Sequence, residues 1–206
     1  MMFSMALPST ADAQVVLTFV AKRGQGALDF PHSILRISGT TQSGEAIDRN
    51  FGFMPLDQSF TLALGRRVDA AVMDRSDASI PWDLITPHLS VQIPDTALDA
   101  VIVRFRYWNE NENGGYDVYS QNCIAFLADI AGTVGLKVPP GDHLSPAGFL
   151  TSLAELNPPG SHPGILPEPI ANPVVQEQPD SPPTAVPESL AAGAPQPVPV
   201  PVPALT

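Results

Sequence analysis

Strand-like apolar segments dominate the first ninety-odd residues, and spacings of three and four dominate the next sixty or so. Gln14–Lys22 (QVVLTFVAK) is rich in β-branched and aromatic residues and predicts a strand. His32–Ser38 (HSILRIS) predicts a second and Ala46–Phe53 (AIDRNFGF) a third, with the turn-rich Gly39–Gly44 between them. Leu89–Ile93 predicts another, stopped by Pro94. Residues 58–75 are ambiguous: Gly65 divides them, and short strands or a strand plus a helical turn fit equally.

Beyond Pro94 the period changes. Leu98, Val101, Ile102, Phe105 and Trp108 follow the spacing of one helical face, with Asp95 or Thr96 as the expected N-cap. The β-branched run Val101-Ile102-Val103 is the counter-signal, since it also suits a strand. A clearer helix is expected from Ser120, with Ile124, Leu127, Ile130, Ala131 and Val134 as its buried stripe and Gly135 at its end. Ser145 as N-cap and Pro146 at the first helical position announce a last helix, with Phe149, Leu150 and Leu153 facing inward. The elements add up to an α+β domain, a small antiparallel sheet packed against helices.

Composition sets the limits of that domain. Of 24 prolines in 206 residues, 15 fall after residue 156, in a stretch without Lys or Arg. Such a segment cannot bury enough apolar surface to offset its ordering, so residues 157–206 are expected to be a disordered, polyproline-like tail. The globular domain is then 14–156. Residues 1–13 form either a flexible amino terminus or the remnant of a signal peptide, because Ala11-Asp12-Ala13 matches a cleavage pattern but lacks a basic region and a full apolar stretch. Export to the periplasm or outside the cell follows from the second reading, a cytoplasmic location from the first. The net charge is −11, and residues 1–156 alone carry 17 acids against ten bases. That balance argues against nucleic acid as a partner, since phosphate binding needs a basic face. No apolar run reaches the length of a membrane span, about 18 residues or more.

One cysteine rules out an internal disulfide and any Cys-rich metal site. Cys123 stands in Tyr119-Ser-Gln-Asn-Cys-Ile-Ala-Phe126, at the third helical position if Ser120 is the cap. Unpaired N–H groups and the helix dipole favour thiolate there, and a thiolate attacks carbonyl carbon. A buried, inert cysteine is the plainer alternative. Among the histidines, His32 begins a predicted strand, His88 follows Pro87, His143 lies in a loop and His162 in the proline-rich tail. No two show ligand spacing, and Gly24-Gln-Gly26 lacks the Lys and helix of a phosphate loop, so neither a metal nor a cofactor is expected.

Pro31-His32-Ser33-Ile34-Leu35-Arg36-Ile37, then Tyr116-Asp-Val-Tyr119-Ser-Gln-Asn122-Cys123-Ile-Ala-Phe126, then Gly135-Leu136-Lys-Val-Pro139 form a recognisable order. The chain resembles the circularly permuted branch of the NlpC-like, papain-like cysteine hydrolases, which includes lecithin–retinol acyltransferase relatives and PPPDE-type peptidases. In that branch a histidine on an early strand precedes a cysteine at a helix start. The resemblance covers about residues 14–156 and leaves the tail aside. Pro31 departs from it, where many relatives carry glycine or a small polar residue.

The resemblance implies a Cys123–His32 pair, a third polar residue orienting the imidazole, and no cofactor. Asn50 is the expected third residue and Asp48 the second choice, because a hairpin closed by Gly39–Ser43 or Thr40–Gln42 sets His32 opposite Asn50. Asn122 and Tyr119 are the expected supports of an oxyanion, with Tyr116 as the alternative tyrosine. The implied activity is a thiol hydrolase or acyl or peptidyl transferase acting through a thioester on a peptide, amide or acyl-ester substrate. Two other readings remain: a catalytically inactive papain-like binding module, and an interaction protein whose proline-rich tail captures a partner protein.

Overall fold

The computed structural model describes residues 14–24, 31–56, 65–76, 84–110, 114–141 and 145–170. The amino-terminal segment 1–13, the part of the ambiguous stretch before Gly65, His143 with Asp142, and the chain beyond Ile170 lie outside the described residues. Five strands, β1 (Gln14–Lys22), β2 (His32–Thr40), β3 (Ala46–Pro55), β4 (Ala70–Asp74) and β5 (Ile85–Ile93), form an antiparallel sheet in the order β4-β3-β2-β1-β5. Three helices come after them: α1 (Asp95–Asn109), α2 (Cys123–Thr133) and α3 (Pro146–Leu156). The fold is α+β, as the sequence predicts.

β1 is paired along its length on both sides, and its residues from Val15 to Ala21 are buried on both faces. A near-continuous apolar run with Thr18 as its one polar member suits that position. Val15, Leu17 and Phe19 join Leu35 and Ile37 of β2, Phe51 and Phe53 of β3, and Leu89, Val91 and Ile93 of β5 on the face that carries all three helices. Burying each such side chain is worth about 1.5–3 kcal/mol, so this layer holds the domain together. The edge β4 is covered by a bridge between Val68 and Tyr116 and by Asn109 Oδ1, which accepts the Val72 N–H.

In α1, Leu98, Val101, Phe105 and Trp108 are buried, whereas Val103 is 59% exposed. The β-branched run is tolerated because only part of it meets the core. The expected side-chain cap is absent: the helix starts after Pro94, and the Asp95 carboxylate instead accepts the Gln42 N–H at 2.9 Å. α2 ends as predicted, with Gly135 at φ 82°, its N–H on Gly132 O and the Leu136 N–H on Ala131 O. α3 starts as predicted at Ser145, whose Oγ accepts the Gly148 N–H.

The β2–β3 hairpin differs from expectation. Thr40 pairs with Ala46, and the loop Thr41–Glu45 closes through Thr41 N–H to Glu45 O and Gly44 N–H to Thr41 O, each 2.9 Å. Gly44 takes φ 85°, which draws the turn towards it. The expected loops centre on Thr41, whereas this one centres on Ser43. Moving the centre by two residues slides the pairing by four: Asn50 lies opposite Arg36, and Asp48 opposite Ser38.

Proline content predicts a domain ending at residue 156, yet the chain from Asn157 to Ile170 packs onto it. Asn157 is buried, with its amide bonded to the Lys137 backbone N–H and O and to Leu153 O. Gly164 O accepts the Gln92 N–H, the Leu166 N–H reaches Ser90 O, and Ile165 enters the core beside β5. Composition alone misplaces this boundary, because Ile165 and the backbone groups around it satisfy the β5 edge. A chain ending at residue 163 should therefore unfold at lower urea than one ending at residue 170. Ile165→Ala should cost about 2 kcal/mol in the same measurement.

Candidate active site

The start of α2 is set by Asn122. Its backbone is extended, and its Oδ1 accepts the N–H groups of Ile124 and Ala125 at 2.8 and 3.0 Å. Its Nδ2 donates to Val118 O at 2.9 Å, so both ends of the amide are used. Cys123 is consequently the first helical residue, not the third, and Ser120 belongs to the preceding turn. Asn122 prevails over Ser120 as the cap because its Oδ1 reaches two N–H groups from the position next to the cysteine.

The thiol lies on the sheet-facing side of α2, 4% exposed, against the beginning of β2. Ser33 pairs with Ala21 and so projects to the helix-bearing face, where it is fully buried. Its hydroxyl has no hydrogen-bond partner of ordinary geometry, yet it and the Ser33 backbone N–H both favour the thiolate of Cys123. His32, the first residue of β2, acts on the same sulfur through its charge and by hydrogen bonding. Burial pushes the Cys123 thiol up, but the His32 charge and these hydrogen bonds pull it down further. The balance lowers it from 9.0 to about 7.

Tyr116 is the tyrosine at the thiol. It is held by backbone bonds in both directions with Val68 and by stacking of its ring on Phe53, centroids 5.5 Å apart. Burial first, and then the neighbouring Cys123, raise its hydroxyl well above the ordinary phenol range, so it stays protonated. Its oxygen meets both the Cys123 backbone and the Cys123 side chain. Tyr119, expected in this role, is 56% exposed and rests over Gly65 instead. The two tyrosines are three residues apart, but the turn at Asp117–Gln121, closed by Gln121 N–H to Asp117 O, directs only Tyr116 inward.

The expected third residue is not brought to the imidazole. Asn50 faces Arg36, about 13 Å along β2 from His32. Asp48 is held in a two-pronged ion pair by Arg36, at 2.9 and 3.0 Å, on the sheet face away from the helices. His32 Nε2 is buried without a hydrogen-bond partner. Asn122 supports the site by placing the helix start, not by donating to an oxyanion. His88 sits at a bulge where β5 slips against β1, half-buried, and burial lowers its pKa. His162 packs near Gly135, at the other end of α2 from the thiol. Among the described residues no three His, Cys, Asp or Glu side chains converge as a metal site, and no helix is long and apolar enough to cross a membrane.

A thiolate favoured only in the folded state has a stability signature. Its contribution is complete above the unfolded thiol's pKa and is lost as pH falls through about 7. The parent should therefore gain stability over Cys123→Ala between pH 7 and 9, measured by urea unfolding at each pH. Alkylation of the thiol by iodoacetamide should be half-maximal near pH 7, and Ser33→Ala should move that midpoint upward. Asn122→Ala should destabilise the fold by about 1–2 kcal/mol and slow alkylation at pH 7. Searches against protein-family models, curated proteins and solved structures each return no match to this chain.

Proposed function

We propose that this protein is a thiol-dependent hydrolase or acyl or peptidyl transferase that cleaves an amide or ester bond through a Cys123 thioester. One observation carries the reading: a thiol at the first position of a capped helix, lowered to about 7 by His32 and Ser33. In an inert core cysteine burial would go unopposed and the pKa would be raised; here it is outweighed by the His32 charge and the hydrogen bonds together. The order of His32 before Asn122-Cys123, similar to the permuted NlpC-like branch, supports the same reading.

In the proposed cycle His32 takes the thiol proton. Because Nε2 is turned away, we assign that transfer to Nδ1. The sulfur attacks the carbonyl carbon, a C–S bond forms, and the electron pair moves to oxygen. The Tyr116 hydroxyl receives this charge, since Asn122 already occupies the N–H groups of Ile124 and Ala125 and the Cys123 N–H lies on the Tyr116 oxygen. The C–N or C–O bond then breaks and the leaving group takes the proton from His32. Water or an acceptor amine or alcohol, deprotonated by His32, attacks the thioester. The thiolate leaves, and the proton on His32 restores the resting pair.

A competing reading is an inactive papain-like binding module. Its support is the deep burial of Cys123 and the absence of an orienting partner on His32 Nε2. A panel of fluorogenic amides and esters separates the two. The hydrolase reading requires turnover of at least one class, its loss in Cys123→Ala and His32→Ala, and a trapped acyl-enzyme mass at Cys123. Tyr116→Phe should lower kcat about ten- to hundredfold with KM little changed. Failure of the whole panel together with alkylation that ignores His32 would overturn the hydrolase reading in favour of a non-enzymatic one.

A further inference from the structure

β2 and β3 part at the site. Their last cross-strand pair is Leu35 with Phe51, whereas β3 continues to Pro55 paired with β4 alone. His32 lies three residues beyond that last pair, at the mouth of the opening, and Gly52 lies on the opposite bank. A Cβ on Gly52 would stand 3.0 Å from His32 Nε2 and 3.4 Å from Cδ2. Gly52 is inside a regular strand and is not among the glycines with positive φ, so its backbone does not demand glycine. Glycine in a strand interior is otherwise unfavourable, and its presence marks a close approach by another group. The approaching group here is the imidazole edge.

We infer that Gly52 is a positioning residue for His32: its missing side chain makes the slot in which the imidazole rests, in place of a polar side chain bonded to Nε2. The neighbours agree with this. Asn50 lies four residues along β2, opposite Arg36, Asp48 is held by Arg36, and no side chain among the described residues bonds to Nε2. The ring is oriented by shape on its Nε2 edge and faces the sulfur with the other. A methyl group at position 52 requires the ring edge to give by a few tenths of an ångström, which moves the imidazole relative to the sulfur. The inference rests on the proposed Cys123–His32 pair and specifies how that pair is held without a third polar member.

The test uses the full chain and three proteins: the parent, His32→Ala and Gly52→Ala. Iodoacetamide alkylation of Cys123 is measured from pH 5 to 9, with thermal unfolding in parallel. Gly52→Ala should unfold at or near the parent temperature, since alanine suits a strand interior better than glycine. Its alkylation at pH 6 should nevertheless fall about tenfold or more, towards the His32→Ala rate. A parent-like rate and pH profile in Gly52→Ala, with His32→Ala slowed, overturns the role of Gly52 alone. Unchanged alkylation in His32→Ala overturns the pair and the inference with it. In case Gly52→Ala does not fold, the parent provides a second reading by NMR. A nuclear Overhauser contact between the Gly52 Hα protons and the His32 ring is expected, and its absence overturns the slot.

Discussion

Where α2 begins decides where the thiol is, and the amide of Asn122 decides where α2 begins. One oxygen takes two N–H groups that a helix start leaves without partners, and the nitrogen ties the preceding turn down to Val118. Had Ser120 capped the helix, Cys123 would sit two positions further in, rotated by more than half a turn about the axis. The sulfur would then point away from β2. The cap also settles which donor remains: with Ile124 and Ala125 committed to Asn122 and the Cys123 N–H on the Tyr116 oxygen, the Tyr116 hydroxyl is the donor beside the sulfur. The helix is held to the sheet by Phe126, Leu127 and Ile130, and to α1 by Asp129, which accepts from Arg104 and Trp108 at 2.7 and 2.8 Å.

The opposing surface is the start of β2, where two consecutive residues divide the work. Ser33 projects to the helix face and meets the sulfur from within the core, while His32 stands at the strand's end, where the sheet opens. Burial and charge act in opposite directions on the thiol. Burial alone makes the thiolate costly, and only the nearby imidazole and the Ser33 donors reverse the sign. Tyr116 is tuned the other way, because burial and the adjacent sulfur both favour its neutral hydroxyl. The same core thus holds one acidic group poised to ionise and another kept as a donor. The aromatic packing of Phe53 against Tyr116, Trp108 and Phe126 fixes the geometry between them.

Much of this could be read along the chain. The strand-like segments became β1 and β2 almost to the residue, and the helical stripe from Leu98 to Trp108 prevailed over three β-branched residues in its middle. Gly135 and Ser145-Pro146 marked a helix end and a helix start because local chemistry suffices there: a left-handed backbone in one case, a side-chain oxygen and a proline in the other. Cys123 drew attention by the same local reasoning, whereas His32 and Asn122 were singled out only by the resemblance of their order to the permuted NlpC-like branch. Gly52 had a signal as well, an isolated glycine in a strand pattern, which spacing alone does not connect to a histidine twenty residues earlier.

What the chain determined by itself was therefore the α+β order of elements, the buried stripes and the residues able to carry chemistry, since periodicity and capping act over a few positions. Tertiary structure decided the relations between distant segments. A turn centred two residues later moved Asn50 from His32 to Arg36, because pairing register doubles any shift of the turn. A backbone bridge to Val68 chose Tyr116 over Tyr119, since only long-range pairing fixes which side of a turn faces the core. The free edge of β5 drew Gly164 to Leu166 into the domain despite the surrounding prolines, because an unpaired strand edge offers hydrogen bonds that composition does not reveal.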